Sequence, residues 1–285
     1  MNGTLLLRGA PAADALAEKS AAACRRLAEQ GVTPRLALVR VGERAGDLSY
    51  EQSIARRCRA VGVHVQSDVL DENISESALL DRLAQLSGDR RIHGILPLLP
   101  LPERFDTDRF RRAIAPEKDV DGITDGSLGA LMTGGTRGFA PCTAEAVIEL
   151  LRYYGIAVAG RSAVVLGRSI VVGKPAAMLL LRADATVTVC HSRTRNAAEL
   201  CRRADILVTA IGKAGCIGRE YLSEGQVVID AGTSVGRDGR LCGDVDYNAA
   251  NGLVAALTPV PGGLGAVTTA VLINHIVEAA ARSLP

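Results

Sequence analysis

Residues 162–190 read SAVVLGRSIVVGKPAAMLLLRADATVTVC, and the fold class turns on how that stretch is parsed. It reads as strand, glycine turn, helix, strand, with the first strand at 162–166 and the second at 185–190. A buried strand ends at Gly167, and Gly173 begins the helix with Pro175 inside its first turn. Backbone N–H groups at such a helix start favour an anion, because the helix dipole and the unpaired donors act together. The spacing is GxSxxxGxP rather than GxGxxG, so the common dinucleotide fingerprint does not score. The end of the second strand adds chemistry. A site for NAD places an acid there to bind ribose hydroxyls, whereas a 2′-phosphate calls for cations. Here TVTVCHSRT carries Ser192 and Arg193 and no acid, and Arg168 lies in the first turn. A guanidinium matches phosphate oxygens, so NADP is expected over NAD. The alternative is three solvated loop residues.

Working outward, helical and strand patterns alternate almost throughout, the mark of an α/β protein. An amphipathic helix near 11–30 precedes RLALVRV (35–41), a buried strand. A helix carrying Tyr50 ends around Val61–Gly62, VHVQSDVL gives a second strand, 75–86 a helix, and IHGILPLL (92–99) a third strand. The turn-rich stretch PEKDVDGITDGSLGALMTGGTRGFAPCT is expected to cross between domains, with loops lining a cleft. Thr143 is expected to cap the next helix. Beyond the opening stretch, ADILVTAIG (204–212) and QVVIDAG (226–232) supply further strands, and a final helix runs from about 265 to 283. The expected domains are 1–142, 143–263, and a C-terminal helix at 264–285 packing back on the first.

Bulk properties exclude several classes. The chain has 285 residues, 48% hydrophobic and 22% charged, with aromatics at 3% and no Trp. That is ample core material, built from Ala, Leu, Val and Ile. The net charge of +2 is small and the cations are spread out, which argues against a nucleic-acid surface. Cys24, Cys58, Cys142, Cys190, Cys201, Cys216 and Cys242 form no CxxC pair, so neither a disulfide scaffold nor a zinc site is expected. His64, His93, His191 and His275 form no cluster, and no metal is expected. The N-terminus lacks a secretory pattern, and no uninterrupted apolar segment approaches spanning length. A soluble, cytoplasmic protein without membrane contact is the expectation.

A second stretch raises a question: DLSYEQSIARR (47–57) places Ile54 one helical turn after Tyr50, on the same face. Taken alone, that is an apolar stripe. Five segments together give it another meaning: Tyr50 in its helix, GILPLLPLP (94–102), KDVDG (118–122), GRSIVVGKP (167–175) and TPVPGGLGAVT (258–268). In order and spacing the chain resembles the methylenetetrahydrofolate dehydrogenase/cyclohydrolase family over essentially its whole length. The resemblance implies two α/β domains, an N-terminal open sheet and a C-terminal Rossmann-like parallel sheet. It also implies a homodimer, with a tetrahydrofolate derivative in the cleft and NADP on the second domain.

Carried over by position, Tyr50 matches the cleft tyrosine that stacks on folate, and Asp121 the acid that hydrogen-bonds the pterin ring. These two are the catalytic candidates. Pro261, Gly262 and Gly263 match the folate loop. Gly167, Arg168, Ser169, Ser192 and Thr233 fall on cofactor positions, with Gly173, Arg193 and Gly212 completing that set. The family has lysine where Ile54 stands and glutamine where Leu98 stands, both substrate-side positions. Losing the pair together leaves an apolar patch, whereas losing only the lysine would strand a buried amide at about 1–3 kcal/mol. Other departures are Asp47 for serine, Ala266 for proline, and DAGTS (230–234) for DxGIN.

Hydride transfer from 5,10-methylenetetrahydrofolate to NADP needs alignment but no protein proton. Hydrolysis of the methenyl product to 10-formyltetrahydrofolate needs proton handling, typically worth about 10²–10⁴-fold. The expectation is an NADP-dependent dehydrogenase whose cyclohydrolase activity is weak or lost, working beside a separate cyclohydrolase. Two rivals stand. One is a fully bifunctional enzyme with a substitute proton carrier such as Arg56, Arg57 or Lys118, although arginine is a poor base. The other is a non-catalytic folate- or nucleotide-binding relative.

Overall fold

The structure is a computed structural model that describes residues 3–236 and 239–284. In chain order it contains β1 (Leu5–Leu6), α1 (Gly9–Glu29), β2 (Arg35–Val41), α2 (Ala45–Val61), β3 (His64–Leu70), α3 (Glu76–Gly88) and β4 (Gly94–Pro97). There follow α4 (Thr107–Arg112), α5 (Asp125–Thr133), α6 (Cys142–Tyr153), β5 (Ser162–Leu166), α7 (Gly173–Arg182) and β6 (Thr186–Cys190). The remainder is α8 (Ala197–Arg202), β7 (Ile206–Thr209), β8 (Val227–Asp230), β9 (Ser234–Val235), β10 (Leu241–Cys242), α9 (Tyr247–Ala250), β11 (Ala256–Leu257) and α10 (Leu264–Arg282). Thr143 is not a cap: α6 begins one residue before it.

The chain divides into two compact units. One comprises Ala15–Cys142 and the chain from Thr269 onward; its three-stranded parallel sheet has the order β3-β2-β4. The central strand β2 is buried on both faces, as a parallel sheet covered by helices requires. Ala37, Val39 and Val41 pack with Leu79, Leu83 and Leu86 of α3 and with Phe110 of α4, each large apolar side chain contributing about 1.5–3 kcal/mol on burial. Helix α2 stops where Gly62 takes a left-handed φ of 93°, a conformation that costs glycine little. On α10, Ile276 sits against β4, where a Cβ at Gly94 would lie 3.2 Å from its side chain.

The other unit comprises the chain up to Asp14 together with Thr143–Thr268. Its sheet is parallel throughout, ordered β1-β11-β8-β7-β5-β6, and β9 and β10 form a small antiparallel ribbon. Here the expected domain limits need correcting. The sequence places the first residues in the N-terminal domain, yet Leu5 and Leu6 pair with Ala256 and Leu257. A two-residue strand carries too little pattern to reveal a partner some 250 residues away.

One helix departs from the expectation about apolar segments. By length and composition α10 could cross a membrane, with a mean hydropathy of 1.5 over its most apolar window. Most of that window is buried, Val267, Val271 and Ile276 completely.

Candidate functional site

In the three-stranded unit, a cavity of about 430 Å³ is lined by Gly46, Asp47, Tyr50, Leu96, Pro97, Leu98, Leu99 and Asp121. The N-terminal half of α2 forms one wall and the chain leaving β4 another. Two ion-pair devices hold them. Arg40, buried at the end of β2, donates to Glu51 at 2.8 Å and so pins α2 beside Tyr50. Arg44 donates to Asp47 at 2.8 Å and to the Pro100 carbonyl at 2.7 Å, tying the start of α2 to the chain that leaves β4.

The structure places Tyr50, Leu98 and Asp121 around the same cavity. Tyr50 is 45% exposed. Burial first, and then the charge of Asp121, push its phenol up to about 12, so it stays protonated near neutrality. Asp121 is pushed up to about 6, chiefly by burial and then by Asp119, against the Cys142 thiol and His275. The charge of Asp119 is fixed in place by the Ile123 and Thr124 amides, at 3.1 and 2.7 Å. Ile54 behaves differently. It is 1% exposed and is not one of the residues lining the cavity. Its side chain belongs to the buried core, whereas Leu98 forms part of the cavity wall.

In the six-stranded unit, the expected cofactor residues gather at one edge. Gly167, Arg168, Ser169 and Gly173 follow β5, Ser192 and Arg193 follow β6, Gly212 follows β7, and Thr233 follows β8. All lie beyond the carboxyl ends of parallel strands, and β5 is flanked by β6 and β7, the switch point at which open α/β sheets take their ligands. Gly167 has φ +137°, and a Cβ there would fall 2.2 Å from the Ala210 carbonyl oxygen. A Cβ at Gly173 would lie 2.4 Å from the Gly167 oxygen. Backbone alone fits this turn. Ser169 is committed to holding it, its Oγ accepting from the Val172 and Gly173 amides at 3.1 and 3.3 Å. Arg168, Ser192 and Arg193 are exposed at the same edge, a donor set that fits a phosphorylated dinucleotide.

Sequence reasoning missed the pair that shapes this edge. Asp244, fully buried, accepts from the Ile211 and Lys213 amides at 2.6 and 2.8 Å and so clamps the turn at Gly212. Asp230 accepts from Thr209, Gly232, Asp244 and Val245, while burial raises its carboxyl. The two interlock: a Cβ at Gly232 would strike the Asp244 carboxylate and one at Gly243 that of Asp230. The available signal was an Asp next to or near a Gly in both DAG (230–232) and GD (243–244).

Pro261, Gly262 and Gly263 belong to the six-stranded unit. Gly262 has φ +102°, and its carbonyl accepts from the Gly9 amide at 2.9 Å. Among the described residues, no group of three or more His, Cys, Asp or Glu side chains could hold a metal ion.

Comparison with known proteins agrees along the length of the chain. Residues 7–121 match the family model for the tetrahydrofolate dehydrogenase/cyclohydrolase catalytic domain, and residues 141–284 that for its NAD(P)-binding domain. The bifunctional protein FolD of Clostridium kluyveri is 44% identical over 275 residues, 96% of this chain and 97% of that one. The solved bifunctional FolD methylenetetrahydrofolate dehydrogenase/cyclohydrolase of Campylobacter jejuni is 35% identical with a TM-score of 0.95, covering 99% of this chain and 100% of that one. The Trypanosoma brucei dehydrogenase–cyclohydrolase, solved with NADP and an inhibitor, is 34% identical with a TM-score of 0.90 and 99% coverage of both chains.

Proposed function

The chain belongs to the tetrahydrofolate dehydrogenase/cyclohydrolase family, and from that premise we propose that it oxidises 5,10-methylenetetrahydrofolate with NADP⁺, while hydrolysis of the methenyl product is weak or lost. The observation that carries this reading is the make-up of the pocket. Its ionisable lining residues are Asp47, Tyr50 and Asp121, with no cation among them. Leu98 supplies an apolar wall, and Ile54 is withdrawn into the core.

Each group has a role in this reading. The Tyr50 ring gives a face on which a pterin stacks, and the Asp121 carboxylate accepts from ring N–H donors. NADP, when bound, supplies the hydride acceptor. Arg168, Ser192 and Arg193 hold its 2′-phosphate, with no acidic residue at the end of β6 to favour an unphosphorylated ribose. Oxidation demands alignment of the donor carbon and no protein proton. Hydrolysis demands that water lose a proton and that the ring nitrogen gain one. The protein is further proposed to be a cytoplasmic homodimer, working beside a separate cyclohydrolase.

A second reading, full bifunctionality, is favoured by the relatives named above and by the proton affinity of Asp121, which places a carboxyl near the range of a general base. The test is to give the purified protein 5,10-methylenetetrahydrofolate with NADP⁺ and NAD⁺ in turn, following reduced dinucleotide and 10-formyl product separately. The proposal expects rapid NADPH formation with methenyl accumulation. Enzymatic 10-formyl formation that keeps pace with NADPH establishes the second reading, and no reduction with either dinucleotide removes both.

A further inference from the structure

The half of α2 that carries Tyr50 is not held by the core. The buried residues of α2 are Ile54, Cys58 and Val61, all beyond Tyr50, and residues 45–53 are exposed or half-buried throughout. Arg44 stands at the N-cap without a side-chain hydrogen bond to the first-turn amides, so capping does not secure this end either. A helix end with neither apolar anchorage nor a cap frays and turns about its axis unless something else fixes it.

Polar contacts supply the anchorage. Glu51, the residue after Tyr50, accepts from Arg40 Nε at 2.8 Å, with the two side chains 15% and 8% exposed. Its other oxygen accepts from the Ser67 hydroxyl, and Arg40 Nη1 donates to the Gly42 carbonyl. Strands β2 and β3 are neighbours, so one carboxylate joins α2 to both. The Arg44–Asp47 pair holds less, because Arg44 is 46% exposed and exposed pairs are weak. Successive residues on a helix point about 100° apart. Fixing Glu51 against the sheet therefore sets the direction in which Tyr50 leaves the helix toward the cavity it lines. A buried ion pair is a poor source of stability, since desolvation offsets most of the attraction. What it supplies is direction, because guanidinium and carboxylate meet in few geometries.

We infer that Arg40 is a positioning residue for Tyr50, acting through Glu51: the buried charge pair fixes the rotation of the uncapped end of α2 and so the angle at which the tyrosine ring meets the substrate. The inference rests on the folate reading for the identity of that substrate, though not for its geometry.

Fluorotyrosine incorporation reports on Tyr50 directly. Of the five tyrosines, Tyr50 alone lies in the three-stranded unit, and Tyr50→Phe assigns its ¹⁹F resonance. Arg40→Leu strands the Glu51 carboxylate and is expected to lose stability in denaturant melts, whereas adding Glu51→Leu removes the stranded charge and should return most of it. A pair that served stability alone would return folate binding along with it. The inference expects otherwise. In the double variant the Tyr50 resonance stays displaced, KM for 5,10-methylenetetrahydrofolate stays raised by roughly 10-fold, and KM for NADP⁺ keeps its native value. A native Tyr50 resonance or a native folate KM in the folded double variant overturns the inference. If that variant does not fold, Glu51→Ala, which removes the acceptor and leaves Arg40 its bond to Gly42, is read by the same two measures. If the native protein forms no NADPH, the folate reading falls and the Tyr50 resonance alone decides the positioning.

Discussion

The proposed dinucleotide edge and the proposed folate pocket are built from different materials. At the edge, bare backbone packs without room for a Cβ: Gly167 against the Ala210 backbone, Gly173 against the Gly167 backbone, and Gly232 and Gly243 under the carboxylates of Asp244 and Asp230. In the pocket, side chains decide: Tyr50, Leu98 and Asp121 converge from α2, the end of β4 and the turn between α4 and α5. The first kind of site tolerates no added atom, whereas the second can change its chemistry one residue at a time while the frame stays. In the proposed reading Ile54, on α2, and Leu98, just after β4, are such changes.

Three variants bear on that contrast. The largest effect is expected from Ile54→Lys combined with Leu98→Gln, which should raise hydrolysis of methenyltetrahydrofolate by roughly 10²–10⁴-fold with NADPH formation little changed. Stopped-flow following of the methenyl chromophore measures it. No gain in a folded double variant would mean that the pocket is not interchangeable in this way.

Asp121→Asn comes next and works in two directions. Losing a charged acceptor should weaken folate turnover about 10- to 100-fold, the value of a hydrogen bond to a charged group at about 1.5–3 kcal/mol. Stability should move the other way. The native carboxyl is raised from 3.8 to about 6, so the folded state binds its proton more tightly than the unfolded chain. The resulting penalty is absent below pH 4, grows as pH rises between 4 and 6, and is complete above it. At about 1.4 kcal/mol per unit of pKa it reaches roughly 3 kcal/mol. Denaturant melts should show Asp121→Asn more stable at pH 7 and the advantage gone at pH 4.

Gly167→Ala, the smallest change on paper, should cost roughly 1–3 kcal/mol in backbone strain and weaken dinucleotide binding while the pocket's affinity for folate stays. Calorimetry with NADP⁺ separates the two. Retained dinucleotide affinity would break the distinction between an edge made of backbone and a pocket made of side chains.

The same contrast explains what could be read from sequence. The β5–α7–β6 unit was legible because glycine spacing and a buried apolar run are local signals; the first strand matches at 162–166 and the second within one residue. Tyr50 and Asp121 were placed by resemblance, since no periodicity joins positions 71 residues apart. Ile54 was located on the correct helix face but one layer too close to solvent, because a face does not say how far a side chain reaches. Asp244 escaped notice since its partners, Ile211 and Lys213, are backbone amides more than 30 residues earlier. His275 stands apart from the other histidines in sequence, and only the packing of α10 reveals its neighbours Phe139 and Cys142.

The pairing of Leu5 and Leu6 with Ala256 and Leu257 reaches into the order in which the molecule is made. As the chain leaves the ribosome, β1 must wait, unpaired, for some 250 further residues to emerge before its partner exists. The three-stranded unit waits too, for the segment that follows Thr269. Neither unit can be completed as an early, self-sufficient intermediate. A nick or trimming at the leading end should therefore loosen the dinucleotide sheet rather than the helices that come next in sequence.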